Sequence, residues 1–433
     1  MIKKIGIFSI IIMVLISTVS CQSNIESDDS EKSMIETEQP TEQPTEQPIE
    51  NKIELPKVFI TTETDPVRYE YIKAVINISD ESGQYDEIIC ENAGVEVRGH
   101  TTAHGEKKPY NIKFPYKENV LGMGESKKWC LIANMFDPAM IRNSLVLDFA
   151  RNIGLQYTSK YEYVEVYLNG RDMGMYLMCT PVSEGKDKVD LDLSENDYLL
   201  QLQPNYTYSD KPNITTNIGF IFSIEEGKTD DLSYLNKFIN DFEYSIAYGI
   251  ESVEQYADIE SFVNYYVLSE LVKDVDFVTS SMYFYIKDNR IYAGPAWDFD
   301  LSMGNVEIKY YPLYNNSEND YEGFYCQQLW FMYLMQIPEF EEKVKIRFNE
   351  LQPWIENLTT DNELGTNRID DALKRYEMGI ENNYTIWKEG KRYGANGMKP
   401  YATFEENVEF LRQWIINRNE WLKEQWEIVQ GEE

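Results

Sequence analysis

Between Gly294 and Asn305 the chain reads GPAWDFDLSMGN, with Asp298 and Asp300 flanking Phe299 just after a strand-like run. Side chains at i and i+2 of a strand point to the same face, so this spacing lets both carboxylates reach one hard cation such as Mg²⁺, which takes oxygen ligands. A turn is the competing reading, because Asp and Gly are common turn residues. Upstream, Asp274 and Asp276 supply two more carboxylates in a loop. The basic counterpart lies far away in sequence. Gly99-His100-Thr101-Thr102-Ala103-His104-Gly105-Glu106-Lys107-Lys108 is polar and bounded by glycines. Loops of small hydroxyl residues, glycine and lysine cradle phosphate through backbone N–H groups and charge. Lys108 ends this loop, and Lys113 follows, alternating with Ile112 and Phe114 and so projecting away from their apolar face. His100 and His104 are read as loop residues, since a zinc site needs three or four ligands and no third is near in sequence.

These groups need elements to hold them. Lys57–Ile60, Ala74–Ile78, Gly94–Arg98 and Tyr110–Phe114 alternate as strands, the last two forming a hairpin around the basic loop. Asp137-Pro138 opens a predicted helix whose apolar positions are Met140, Leu145, Leu147, Phe149 and Ile153, ending at Gly154. Arg142, Asn143, Asp148 and Arg151 then read as its solvated polar face. Tyr163–Leu168 and Met173–Met178 alternate around Asn169-Gly170, a strong hairpin signal. Further strands are expected at Asp197–Leu202 and Gly219–Ser223, and helices at Leu232–Ala247 and Ile259–Lys273. A strand pair, Met282–Lys287 and Ile291–Ala293, feeds directly into the acidic motif. Beyond it, helical periodicity covers Gln327–Met335, Glu339–Trp354, Arg368–Asn382 and Phe404–Val429, with aromatics read as packing residues. The order, β-rich, then mixed, then α-rich, predicts an α+β protein of two lobes.

The chain has 433 residues and a formal charge of -34, from 74 acidic against 40 basic residues. No basic stripe is present, so no nucleic-acid partner is expected. The 32 tyrosines suit an extracytoplasmic protein with aromatic-rich surfaces or clefts. Residues 1–20 read as a lipoprotein signal peptide: Lys3 and Lys4 precede the apolar run Ile5–Ile16, which is short for a membrane span. Ser17-Thr18-Val19-Ser20-Cys21 resembles a bacterial lipobox, with Thr18 where Leu is usual, and makes Cys21 the expected lipidation site. The expected location is therefore extracytoplasmic, anchored to the cell membrane through the N-terminal lipid alone. Residues 21–54 are acidic and carry three TEQP units, a composition that stays extended and disordered. Cys90, Cys130, Cys179 and Cys326 have irregular spacing and match no metal motif; their pairing is left open.

Four segments, in this order, resemble the spore coat protein H (CotH) kinase family. They are Val97–Phe114 (VRGHTTAHGEKKPYNIKF), Lys128–Arg151 with its Ile141-Arg142-Asn143 element, Val164–Leu177 (VEVYLNGRDMGMYL), and Asp276–Asn305 ending in the acidic motif. The resemblance implies an atypical bilobal protein-kinase-like fold over residues 55–433, with a β-rich N-lobe over 55–182 and a mixed, helical C-lobe over 183–433. Such a fold encloses ATP with Mg²⁺ or Mn²⁺ and passes the γ-phosphoryl group to Ser or Thr of a protein, here a spore coat or cell-surface protein. On this resemblance Asp298 is the metal-binding Asp, with the part that the Asp of a DFG element has in ordinary kinases. Asp300 supports it or shares the metal, and Asp276 is the catalytic Asp that orients and deprotonates the acceptor hydroxyl. Lys108 and Lys113 are the phosphate-contacting candidates, and Arg98 with the Gly99–Gly105 loop lies near the nucleotide.

Three positions depart from the family pattern. Ser281 stands where many members have Asn as a second metal ligand, His100 to Ala103 replace an Asn-Ser-Thr-Trp type of loop, and Cys179-Thr180-Pro181 replaces a Glu near the end of a strand. Phosphoryl transfer needs a metal held by carboxylates, a cation on the phosphates and a carboxylate by the nucleophile, and all three types are present. The competing expectation is a catalytically inactive surface lipoprotein of the same fold that binds a protein or glycan. A weaker one reads Asp276, Asp298 and Asp300 as glycosidase carboxylates, which stand about 5–9.5 Å apart across a sugar.

Overall fold

Alternation of apolar and polar residues over the first part of the chain produces seven strands that close on themselves. The computed structural model describes residues 53–204, 211–277, 280–306, 319–387 and 403–427. The expected signal peptide, Cys21 and most of the TEQP linker lie outside the described residues. The strands are β1 (Lys57–Thr62), β2 (Ile72–Ser79), β3 (Ile88–Val97), β4 (Tyr110–Asn119), β5 (Glu125–Ile132), β6 (Tyr161–Leu168) and β7 (Arg171–Cys179), with helix α1 (Arg142–Asn152) between β5 and β6. They form a barrel in the order β1-β2-β3-β4-β5-β7-β6. The barrel is closed by parallel pairing of β1 with β6, from Lys57 opposite Glu165 to Ile60 opposite Leu168. Every second residue points inward, so Val58, Ile60, Val95, Ile112, Trp129 and Val166 fill the interior. Asn169 (φ 51°) and Gly170 (φ 77°) make the β6–β7 turn, the two left-handed residues that a type I′ hairpin requires.

A second sheet, in the order β12-β11-β8-β10-β9, uses β8 (Tyr198–Gln203), β9 (Asn213–Thr215), β10 (Ile221–Glu226), β11 (Tyr283–Lys287) and β12 (Arg290–Ala293). Helices α2 (Ser233–Ile246), α3 (Ile250–Val253) and α4 (Ile259–Val272) lie between β10 and β11 in sequence. The C-terminal part holds α5 (Phe331–Leu334), α6 (Pro338–Glu350), α7 (Gln352–Glu356), α8 (Arg368–Arg375), α9 (Glu377–Ile386) and α10 (Phe404–Gln425). The sequence IESFVNYYVLSELV of α4 is apolar nearly all round, and the helix is buried accordingly, packed by α1, α6, α10 and β12. Asp258 caps its N-terminus, its carboxylate accepting from Ser261 N–H at 2.9 Å. Trp330 anchors an aromatic cluster beside it, stacked on Phe222 at 5.3 Å and edge-on to Phe284 at 4.9 Å.

The protein is thus α+β. Several boundaries differ from the periodicity. α1 starts at Arg142 rather than at Asp137-Pro138, because the Asp137 carboxylate is engaged by the N–H groups of Ala139 (3.0 Å) and Arg142 (2.7 Å). The expected 368–382 helix breaks at Tyr376 into α8 and α9, and the 339–354 helix breaks at Leu351 into α6 and α7. Most aromatic side chains pack into the core rather than lining a surface. Among the described residues no helix is long and apolar enough to cross a membrane.

Candidate active site

Two acidic segments are built at the ends of rigid elements and then tied together. Lys273 ends α4 in a left-handed conformation (φ 43°), and its ammonium donates to the carbonyls of Asp320 (2.9 Å) and Glu322 (2.5 Å). Asp274 and Asp276 follow immediately. The β11–β12 hairpin delivers the other segment, Trp297 to Asn305, which bonds back to α4 through Met303 N–H on Val272 O at 2.7 Å.

The start of α1 holds this second segment in place. Asn143 Oδ1 accepts from Phe299 N–H at 2.7 Å, and Arg142 Nε donates to Ser302 O at 3.1 Å. Arg142 is itself paired with Asp137 at 2.6 Å, both side chains fully buried. Asn305 Nδ2 donates to Phe136 O (2.7 Å) and Asp300 O (2.6 Å). Gly304 has φ 71°, and a Cβ there would stand 2.3 Å from Trp414 of α10, so only glycine fits. Two expectations are corrected here. Arg142 and Asn143 are buried anchors and not a solvated face, whereas Asp148 and Arg151 do lie at the surface, paired with each other. Asp298 and Asp300 sit on irregular backbone beyond β12, so they do not share a strand face.

Asp298 is half-buried at φ 67°, and Ser281, at φ 58°, donates its hydroxyl to Asp298 Oδ2 at 3.3 Å. Left-handed backbone at a non-glycine residue costs of order 1–3 kcal/mol and persists only where the surroundings impose it, commonly at functional sites. Burial pushes the Asp298 carboxyl above its ordinary range, against the pull of Arg98 and the Ser281 hydrogen bond. Asp300 is buried and pushed much further up, by burial first and then by Asp298, Asp276 and Asp137. Asp274 follows the same pattern, through burial and the charges of Asp276, Asp298 and Asp300. Its Oδ1 is buried without a hydrogen-bond partner. An all-oxygen donor set with excess negative charge and an orphaned carboxylate oxygen fits a hard divalent cation. Among the described residues, however, no three His, Cys, Asp or Glu side chains gather tightly enough to ligate one ion by themselves.

The basic residues separate into three groups. The guanidinium of Arg98 lies over the Trp297 ring at 5.4 Å, within the field of Asp298. Lys113 is exposed on the outer face of β4, opposite Gly94 of β3 and Lys128 of β5, with its ammonium 5.5 Å from the Tyr71 ring. Lys108 turns back into its own loop and donates to Ala103 O at 2.9 Å. The structure therefore groups Arg98, Asp276, Ser281, Asp298 and Asp300, leaves Lys113 on the neighbouring barrel face, and gives Lys108 a local brace. Sequence reasoning assigned no role to Lys107. It is buried, and it donates to Ala133 O (2.8 Å), Met175 O (2.5 Å) and Asn383 Oδ1 (2.8 Å), fastening the basic loop to β7 and α9. Nothing distinguishes it from its loop neighbours in sequence. Asp274 was visible as a loop acid, but its burial and orphaned oxygen were not.

A barrel joined to an α+β body, with acidic loops facing an arginine from the barrel rim, is the setting in which comparison with known proteins becomes informative. The family model described as CotH kinase protein matches residues 95–422. The chain belongs to the CotH kinase family. No curated protein matches it. Among solved structures it is similar to the crystal structure of a Helicobacter pylori proinflammatory kinase, CtkA, at 11% identity over 73% of this chain and 94% of that chain, with a TM-score of 0.25.

Proposed function

We propose that the protein is an ATP-dependent protein kinase that uses Mg²⁺ or Mn²⁺ and phosphorylates Ser or Thr of a coat or cell-surface protein. The observation that carries this reading is the acidic group Asp274, Asp276, Asp298 and Asp300, with Asp298 on left-handed backbone and in the field of Arg98, in a member of the CotH kinase family. On this reading the barrel and the helical body are the two lobes, and the nucleotide lies between them. Asp298, with Ser281 and Asp300 beside it, holds the metal, which neutralises phosphate charge when bound. Mg²⁺ commonly takes one or two carboxylates and completes its shell with substrate phosphates and water, which suits carboxylates that do not close around an ion alone.

Arg98 and Lys113 take the phosphate side, and Lys108, committed to Ala103, braces the loop instead. Asp276 orients the acceptor hydroxyl and takes its proton. Transfer is then mostly positioning and charge neutralisation. The location we propose is extracytoplasmic, with Cys21 lipidated and the folded part held off the membrane by the linker.

The test is transfer of labelled phosphate from ATP, with Mg²⁺ or Mn²⁺, to a Ser/Thr-rich acceptor protein. Incorporation is expected for the native chain and background only for Asp298→Ala, with both showing the same circular dichroism. Equal incorporation by the two, or none by either, overturns the assignment. ATP binding without transfer would favour a binding protein of kinase fold.

A further inference from the structure

Two cysteines face each other beneath this site. Cys130 of β5 and Cys179 of β7 are direct cross-strand partners. Their neighbours Trp129, Leu131 and Met178 point into the barrel, so both thiols project outward, on one face, toward the helical body, where they belong to the larger core. Both are free and buried. Directly paired antiparallel residues have Cα atoms about 4.5 or 5.5 Å apart, and disulfides span Cα separations of about 4.4–6.8 Å. Cys130 Sγ donates to Asn111 Oδ1 at 3.5 Å. Arg98 and Asp298 both act on the pair electrostatically.

We propose that Cys130 and Cys179 are a redox modification site: a cross-strand disulfide between them fixes β5 to β7 under Arg98 and Asp298 and tightens nucleotide binding. The oxidant is a small disulfide or an oxidised dithiol protein. One cysteine thiolate attacks the donor S–S bond, forming a mixed disulfide and expelling one donor thiolate. The second thiolate attacks the protein sulfur of that mixed disulfide and expels the other. Two cysteine S–H groups are oxidised, and the donor disulfide takes up two electrons and two protons and leaves as two thiols.

Support for the order of attack comes from the neighbouring Cys179 and the Arg98 guanidinium, which draw the Cys130 thiol down, and the thiolate is the nucleophile. A covalent bond between these paired strands restricts the opening of the floor under Arg98 and Asp298. Both sulfurs are buried, and exchange therefore waits on local opening. The effect on nucleotide rests on the reading of the site given above, whereas the bond does not.

The full chain, incubated with oxidised glutathione or with dithiothreitol, is denatured, labelled on free thiols and mapped by mass spectrometry. The expected result is a Cys130–Cys179 linkage in the first sample, loss of two labels, and slower formation in the presence of Mg²⁺ and ATP. Titration with Mg²⁺ and ATP is expected to show affinity about threefold to tenfold higher in the oxidised form, the gain from ordering part of a site before its ligand arrives, and no such difference in Cys179→Ala or Cys130→Ser. Absence of the linkage, or glutathione adducts alone, overturns the proposal. A linkage with unchanged affinity overturns the control of binding. A linkage in a protein that binds no ATP in either state establishes the modification site and overturns the kinase reading instead.

Discussion

The acidity of Asp300 and Asp274 carries a consequence for solution behaviour. A carboxyl whose pKa is raised by folding favours the folded state below the ordinary carboxylate range and loses that advantage as pH climbs through the raised value. Both residues are raised by burial and by neighbouring carboxylates. The metal-free protein is therefore expected to melt at falling temperature as pH rises above the ordinary Asp range, and added Mg²⁺ is expected to restore more of the melting temperature the higher the pH. Asp300→Asn should stabilise the metal-free protein at neutral pH by about 1–3 kcal/mol, the cost of one uncompensated buried group, and shrink the Mg²⁺-induced rise; differential scanning fluorimetry against pH reads both. At this scale the sequence was informative where chemistry sits in consecutive letters, as in Trp297 to Asp300. It was silent where a role depends on a distant partner. Arg142 meets Ser302 and Lys107 meets Asn383 only after folding, and no local pattern marks either.

At the scale of elements, the site depends on α1 acting as a peg. Its first residues plug into the Trp297–Asn305 segment instead of facing water, so Arg142→Ala removes half of a buried ion pair and the donor to Ser302 together. Breaking such a pair costs about 3–5 kcal/mol. Asn143→Ala leaves the Phe299 N–H unsatisfied and should cost about 1–3 kcal/mol. Urea denaturation gives these losses, and Mg²⁺–ATP titration of the folded variants is expected to show weaker binding, because Asp298 and Asp300 lie in the released segment. Equal affinity in both variants would show that the segment holds its conformation without the peg. Strands and helices were legible as elements, since alternation and 3.6-residue periodicity are local. The closing of seven strands into a barrel was not, because parallel pairing of β1 with β6 leaves no turn signal between them.

For the molecule as a whole, α10 is the clasp. Arg418 donates to Glu270 O at 2.8 Å and to Glu270 Oε2 at 2.9 Å, both side chains fully buried, and also to the carbonyls of Tyr321 and Gly323 at 2.8 Å. Glu270 in turn accepts from Tyr325 N–H and Cys326 N–H. The C-terminal helix thereby grips α4 at the end that leads into Asp274 and Asp276. Arg418→Ala is expected to destabilise by about 3–5 kcal/mol, and deletion of α10 to yield a chain without cooperative thermal unfolding, because Leu411, Trp414, Ile415 and Leu422 leave the larger core. Calorimetry distinguishes the two outcomes.

Barrel closure also sets a timetable. β2 through β5 can zip as neighbours, but the bonds from Glu165 N–H to Pro56 O and from Asn169 N–H to Ile60 O need the two ends of the barrel to find each other across the whole intervening chain. Loop-closure entropy makes such contacts late and folding slow. In a pulse-labelled hydrogen-exchange experiment the amides of Glu165 and Asn169 should gain protection after those of the β4–β5 hairpin. Until they do, a newly made chain keeps an open strand edge, and that is the interval in which it is most exposed to aggregation.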